Sequence, residues 1–346
     1  MKGIGLSVRD IPHRNTLFLR RMSCIAFKAI GNIALAVGSN MAAYLDAVLD
    51  SCKEGLQARG RKNAPSEGPI FECISMLALS LGQVLTKHMH ELLDLMFAYG
   101  LSEPLVLALK NLAHYIPPLK STIQERLLDL LSTLLAGQPF RHPGAPIPVN
   151  SAVRLNGPMS SIPSAVHEQK DPVLVTLALS TLGDFDFSGH ILSEFIADCI
   201  VRYLEDDSPE VRLAAASTTS KLFAEDPIVH QVSAHAVRLV GEVLEKLLTV
   251  AVADPDVAIR KSTLLSLDPR FDRHLAQAEN VRSLVIAMND EDFEIRELAI
   301  QMIGRLATLN PAYVMPSLRK TLIQLLTELE YSTKEYAFAC SCAGLC

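Results

Sequence analysis

Asp206-Asp207-Ser208-Pro209-Glu210-Val211-Arg212, Asp254-Pro255-Asp256-Val257-Ala258-Ile259-Arg260 and Asp290-Glu291-Asp292-Phe293-Glu294-Ile295-Arg296 align with one another without a gap. Each carries an Asp six residues before an Arg, with Val or Ile immediately ahead of that Arg. The copies begin at 206, 254 and 290, spacings of 48 and 36 residues. These bracket the ~40 to 47 residues of a unit built from a pair of stacked helices. In each copy the Asp falls in a turn that opens a helix, where a carboxylate meets free N–H groups and the positive end of the dipole. The aliphatic residue then points between helices, and the Arg reaches an acidic turn of its own or the neighbouring unit. Stacking the units predicts a ladder of Asp206, Arg212, Asp254, Arg260, Asp290 and Arg296 along one edge, a device for stability rather than catalysis.

Outward from the repeats, the 346 residues are 49% hydrophobic and 5% aromatic, with no Trp. Leu, Ala and Ile recur at helical spacing, which predicts an all-α protein, an α-solenoid of HEAT- or armadillo-like helix pairs. Ile25, Ala29, Ile33 and Ala36, with Ile30, Ala34 and Val37, read as one buried helix face over Met22–Val37. Further helices are expected over Tyr44–Leu56, Ile70–Leu85, His88–Ala98, Pro104–Tyr115 and Ile123–Leu135. The breaker-rich Gln57–Pro69 reads as an exposed loop. Gly137–Pro172 contains seven prolines, which forbid a regular helix, and is either a solvated loop or a docking segment for a partner. The organisation is therefore an N-terminal segment 1–21, helix pairs over 22–136, a Pro-rich loop 137–172, repeats over 173–332, and a Cys-rich tail 333–346.

A net charge of -6 gives no electrostatic reason to bind phosphate backbones, so nucleic acid is not an expected partner. No run reaches the ~18 to 20 uninterrupted apolar residues of a membrane helix, since Asn32, Glu242 and Lys246 break the greasiest stretches. Arg9, Asp10, Pro12 and Arg14 stand where a signal peptide needs an apolar core. With seven scattered cysteines and no Asn-x-Ser/Thr acceptor, the expected setting is intracellular and reducing.

Several fragments imitate catalytic motifs. Asp272-Arg273-His274 matches the start of a D-R-H-x-x-N catalytic loop, but Gln277 stands where Asn should bind metal. Asp184-Phe185-Asp186-Phe187 fails a D-F-G metal loop at its third letter, and Gly3-Ile4-Gly5 lacks the last Gly of a phosphate cradle. His88 and His90 sit about 200° apart on a helix, too far round to share a metal, and are expected to be exposed. Cys340, Cys342 and Cys346 have no standard zinc-finger spacing. No catalytic, metal or cofactor residue is assigned.

The wording of several segments resembles one family. Asn289–Ile300, Ile303-Gly304-Arg305-Leu306, Asn310–Pro316 and Leu318-Arg319-Lys320 running to Leu329-Glu330 are similar to the amino-terminal HEAT region of the target of rapamycin (TOR) kinases. So are Phe271–Asn280, Arg141-His142-Pro143-Gly144 and Cys73–Ala78, and the resemblance runs from Cys24 to Ser332 in a single order. Met1–Arg21 and Lys334–Cys346 depart from it. TOR proteins are very large Ser/Thr protein kinases of the phosphatidylinositol-3-kinase-related class. The resemblance implies a noncatalytic scaffold that helps build dimeric TOR complexes and contacts Raptor. It also implies a cytoplasmic setting, with recruitment to vacuolar or lysosomal membrane surfaces through complex partners. The family's kinase motifs have no counterpart here, so a fragment of a longer kinase is expected. The alternatives are a part of an active kinase whose catalytic domain lies elsewhere, or a generic HEAT adaptor.

Overall fold

The computed structural model describes residues 11–58, 66–142 and 171–342, with side chains over 24–58, 66–142, 171–327 and 329–331. Among these residues every regular element is a helix and there is no strand. The chain divides into two compact units, with the main boundary between Ser188 and Gly189.

The first unit contains α1 (Ile11–Val37), α2 (Leu45–Gln57), α3 (Glu67–Leu81), α4 (Thr86–Phe97), α5 (Glu103–Tyr115), α6 (Lys120–Ala136) and α7 (Pro172–Asp184). Helices α1 and α2, α3 and α4, and α5 and α6 follow each other across short 3-10 turns at Gly38–Tyr44, Gly82–Leu85 and Pro117–Leu119. Gly38 and Gly82 open two of these turns at φ of 61° and 53°, values that a side chain disfavours. The first helices form one layer, α1 on α3 on α5, and α2 packs on α4 beside it. Between the layers lie Leu49, Leu56, Phe71, Ile74, Leu77, Leu92 and Leu93, all nearly or fully buried.

The buried face of α1 differs from the expected one. Phe27, Gly31 and Ala34 point inward, whereas Ile25 and Ile33 are 61% and 53% exposed. The reason is close approach: a Cβ on Gly31 would stand 2.5 Å from Met76 Sδ and 3.4 Å from Cys73 Cα on α3. The smallest side chains mark that contact, so counting large apolar residues chose the wrong stripe.

In the second unit, residues 193–205 form a helix of mixed geometry, α8 (Ser193–Phe195) running into a π turn and then a 3-10 turn. There follow α9 (Pro209–Glu225), α10 (Ala234–Ala253), α11 (Val257–Ser266), α12 (Asp272–Leu275), α13 (Ala278–Ala287), α14 (Phe293–Leu306) and α15 (Pro311–Cys342). The three Asp-to-Arg stretches open α9, α11 and α14, and α10, α13 and α15 are the second helices of the same pairs. α11 packs against α9 on one side and α14 on the other, while α13 packs against α10 and α15. Each unit is thus a stack of helix pairs, the all-α solenoid architecture expected from the sequence. Val211, Ile259 and Ile295, the residues before each Arg, are at most 2% exposed and fill the interhelical layer.

Three boundaries depart from the reading of the sequence. α3 begins at Glu67, so Gly68 and Pro69 belong to a helix rather than to the loop that precedes it, and residues 59–65 lie outside the described residues. α7 packs on α6, which places Pro172–Ser188 in the first unit rather than with the repeats. α15 runs through Cys342 with no break at 333, although the side chains of Cys340, Cys342 and Cys346 lie outside the described residues. Most of the Pro-rich loop, 143–170, and the Gly3-Ile4-Gly5 fragment are also outside them.

One exclusion needs correction. Cys24–Gln57 and Glu67–Phe97 are long and apolar enough to cross a membrane by length and composition. Counting uninterrupted apolar residues missed them, because average hydropathy tolerates isolated polar residues such as Asn32. Each stretch is two helices joined at a turn-forming glycine, and half of the Glu67–Phe97 window is buried inside the first unit.

Candidate functional site

The site is the edge where the three Asp-to-Arg stretches line up. Each opens with the same local turn. Asp206, Asp254 and Asp290 accept through Oδ1 the backbone N–H of the residue two further on, at 2.9 Å in each case. The carboxylate therefore folds its own turn, and at α11 and α14 the Asp two residues further on caps the helix. Asp256 accepts from Ala258 N at 2.8 Å, and Asp292 accepts from Glu294 N and Ile295 N at 2.9 and 3.2 Å. Ser208 instead donates its hydroxyl to Glu210 Oε2 at 2.7 Å, and Pro209, which has no N–H to satisfy, starts α9. The expectation that the ladder Asp itself caps the helix is corrected by two residues.

The Arg follows in the first turn, its N–H bonded to the carbonyl of Ser208, Asp256 or Asp292. Side chains on a helix lean toward its N-terminus, so each guanidinium is carried back over the turn. Nη1 of Arg212, Arg260 and Arg296 donates to the carbonyl of Asp206, Asp254 and Asp290 at 3.0, 2.8 and 3.0 Å. That leaves Nε and Nη2 facing the next unit. Arg212 donates through them to both carboxylate oxygens of Asp254, at 2.7 and 3.1 Å, and Arg260 to both oxygens of Asp290, at 2.9 and 3.0 Å. Every complete rung therefore ties one turn's backbone to the next turn's side chain. A paired fork of this kind fixes orientation as well as charge.

The two complete rungs are buried. The side chains of Arg260 and Asp290 are each 7% exposed, and those of Arg212 and Asp254 13% and 3%. Such a pair forfeits solvation and holds only because the guanidinium and carboxylate also satisfy backbone groups. Burial pushes the Asp290 carboxyl up, but the hydrogen bond from Arg260, the N–H of Asp292 and the charges of Arg260 and Arg296 outweigh it and hold it below its ordinary value. The hydrogen bond that Arg212 donates to Asp254 is the largest of the effects that raise the Arg212 guanidinium.

The ladder's ends are different. Arg296 holds only carbonyls of its own turn, those of Asp290 and Glu291, and its guanidinium carbon lies over the Phe293 ring at 5.5 Å from the centroid. Asp206 shapes its own turn through Ser208 N, and among the described residues no Arg meets its carboxylate. Of the six predicted residues, four form the two rungs and these two do not pair.

Further ties carry no repeated wording and escaped the sequence reading. Arg305 donates to Asp272 Oδ1 at 2.9 Å, His274 Nε2 lies 3.0 Å from the Val229 carbonyl, and buried Asn280 donates to the His274 carbonyl at 2.9 Å. The Asp-Arg-His triplet is thereby committed to joining helices. Burial raises the Asp272 carboxyl above its ordinary range, with Arg305 opposing the shift. In the first unit, Asp186 takes Lys120 Nζ at 2.6 Å and the N–H of Ser188, contacts that hold its carboxyl at about 2. Its neighbours Phe185 and Phe187 are buried with ring centroids 5.1 Å apart, so Asp184–Phe187 forms a corner. His90 is exposed on α4 and His88 lies 3.7 Å from Asp46. No group of three His, Cys, Asp or Glu suited to a metal occurs among the described residues.

No protein-family profile matches the chain. The TOR serine/threonine kinase of Schizosaccharomyces pombe is 45% identical over 89% of the chain. Those of Arabidopsis thaliana and Drosophila melanogaster are 38% and 35% identical over 88% and 89%. A solved karyopherin, bound to the extreme C-terminus of a protein phosphatase, covers 91% of the chain and 34% of its own length at 15% identity with a TM-score of 0.49. The chain spans only 12% to 13% of the length of these three kinases. On these identities the chain is homologous to a segment of the TOR family of serine/threonine protein kinases.

Proposed function

We propose that this chain acts as a noncatalytic scaffold region of a TOR kinase, from the amino-terminal part of the longer protein. Its work is the assembly of TOR complexes in nutrient-responsive growth signalling, with Raptor as a direct partner and a dimeric architecture in the full-length protein. The observation that supports this reading is the 45% identity to a TOR kinase over 89% of a chain whose repeated polar residues join helix pair to helix pair. A stack of this kind presents a long surface, and partners bind such surfaces by shape and by loops rather than in one pocket. Kinase activity belongs to the longer polypeptide on this reading. The cytoplasm is the proposed setting, with partners supplying recruitment to vacuolar or lysosomal membranes.

Co-precipitation of the folded chain with Raptor tests the proposal. Retention of Raptor is the expected result, and a folded chain that leaves Raptor in solution overturns it. ATP-dependent phosphorylation by these 346 residues alone would overturn the noncatalytic assignment.

A further inference from the structure

Cys52 on α2 and Cys73 on α3 lie together in the core of the first unit. Each is 0% exposed, and their thiols are hydrogen-bonded to one another where α2 packs on α3. Each also sits in the buried stripe of its helix, three residues after one apolar side chain and four before another: Leu49 and Leu56 flank Cys52, and Ile70 and Leu77 flank Cys73. Packing alone would be served by a thiol among apolar neighbours, since a free cysteine behaves as a small hydrophobe. The contact adds two sulfur atoms that face each other from adjacent helices, the arrangement a covalent link requires.

The two thiols are not equivalent. The hydrogen bond from Cys52 lowers the Cys73 thiol, against the opposing effects of burial and of the Glu72 charge. The same hydrogen bond, burial and the Cys73 charge raise Cys52 well above its ordinary value. Cys73 is therefore the sulfur with thiolate character, the attacking form. The two helices also differ in how they are held. Helix α2 buries one stripe, while Asp46, Asp50, Ser51 and Glu54 face solvent. Helix α3 is enclosed between α1 and α5, and a Cβ on Gly31 of α1 would stand 3.4 Å from Cys73 Cα. Lifting α2 alone is thus a local opening that uncovers Cys73 while the layer of α1, α3 and α5 stays assembled.

We propose that Cys52 and Cys73 form a redox modification site, a dithiol that hydrogen peroxide converts to a disulfide joining α2 to α3. While α2 is lifted, the Cys73 thiolate attacks one peroxide oxygen. The S–O bond forms, the O–O bond breaks, and the second oxygen leaves as hydroxide, which takes a proton to become water. Helix α2 then returns and the Cys52 sulfur attacks the Cys73 sulfenic acid. The S–S bond forms, the S–O bond breaks, and the Cys52 proton departs with the released hydroxyl as a second water. Exchange with a dithiol reductant restores both thiols. Because α2 closes one helix pair and α3 opens the next, the bond ties successive pairs covalently and forbids the lifting that admitted the oxidant. A pair of this kind rests reduced inside a cell and closes under oxidant load, the ordinary use of intracellular disulfides. The inference stands apart from the scaffold reading, since it concerns how two helix pairs are joined and not what binds them.

The test treats the reduced full chain with hydrogen peroxide under native conditions, alkylates the remaining thiols and maps the digest by mass spectrometry. The expected product is a cross-linked pair of peptides containing Cys52 and Cys73, lighter than their sum by two hydrogens and returned to free thiols by dithiothreitol. In Cys52→Ala, Cys73 should accumulate as a sulfenic acid that dimedone traps, whereas Cys73→Ala should leave Cys52 reduced. Hydrogen exchange of α2 in the oxidised chain should slow about tenfold or more, because the opening that separates it from α3 is closed. Thiols that stay reduced until urea unfolds the chain overturn the proposal, since a pair that only packs behaves in that way. A disulfide from either residue to Cys24 or Cys199 overturns it too, as does a Cys52–Cys73 bond that leaves the exchange of α2 unchanged. The map of the unsubstituted chain is decisive by itself, so the outcome does not depend on either variant folding.

Discussion

The two units hold helix pairs in register by different chemistry. In the second unit, buried guanidinium–carboxylate forks link successive helix-opening turns, with Arg260 and Asp290 each 7% exposed. In the first, the ion pairs sit at the surface. Lys28–Glu72 is 55% and 43% exposed, and Lys120–Asp186 is 37% and 61%. Register there comes from apolar contact, from turns at Gly38 and Gly82, and from the close approach of α1 to α3 at Gly31. Buried charge is unforgiving of substitution at one position, whereas an apolar layer spreads its contribution over many. The two units should accordingly fail in different ways.

The largest effects are expected where one partner of a buried rung is removed. Arg260→Ala leaves Asp290 buried without its counter-charge and should cost about 3 to 5 kcal/mol. Urea unfolding checks it, and a loss below about 1 kcal/mol would mean that the rung is solvated and the contrast between units is false. Replacing both Arg260 and Asp290 by apolar residues should recover only part of the loss, because it removes the stranded charge but leaves the Asp254 carbonyl and the Asp292 N–H without their partners. In the first unit, the matching experiment is Leu77→Ala, which empties a fully buried position and should cost about 2 to 5 kcal/mol. The two losses are similar in size but should part on changing pH.

Acid sharpens that separation. The Asp290 carboxyl is held below its ordinary value in the folded chain, so its contribution is complete above the unfolded pKa of about 3.9 and fades as pH falls through the folded pKa. Hydrogen exchange at falling pH should therefore show α11 and α14 losing protection in step with titration of that carboxyl, and Arg260→Ala should flatten the dependence. Leu77→Ala should leave it unchanged. Equal flattening by both variants would place the acid sensitivity outside the ladder.

Next in size is overpacking at the close crossing. Gly31→Val puts a branched side chain where even a Cβ meets Met76 Sδ at 2.5 Å, and should cost about 1 to 3 kcal/mol despite the better helix propensity of valine. A stabilised variant would show that Met76 swings aside freely and that the crossing does not set the register of α1 on α3.

The same chemistry explains what the sequence discloses. The rungs were legible because they need one residue type at one spacing: Asp to fold the turn, an aliphatic residue inward, and Arg six places on. The helices of the first unit were legible as periodicity, but the inward face of α1 was not. Burial there selects small residues, Gly31 and Ala34, and leaves Ile25 and Ile33 outside. Arg305 with Asp272 and Asn280 with the His274 carbonyl were illegible for another reason. Each occurs once, between residues without a repeated frame, and one sequence holds no signal that joins them. Arg296 is an intermediate case, since its wording matches the other two copies while its own partners, the carbonyls of Asp290 and Glu291, are visible only in three dimensions.

The smallest expected effect belongs to Lys28–Glu72, which joins α1 to α3 at 3.1 Å on the surface. Solvent screens both charges and two long side chains must be ordered to make the contact, so Lys28→Ala should change stability by no more than about 1 kcal/mol. Whatever contribution exists should shrink further in high salt, because the screening length falls to about 3 Å at 1 M. Arg260→Ala should keep most of its effect under the same salt, since its pair is shielded from ions by the helices around it. Comparing the two variants at low and high salt therefore tests burial itself. If salt erased the Arg260 effect as readily as the Lys28 effect, the ladder would be a surface decoration, and the repeated wording of the second unit would need a different physical cause.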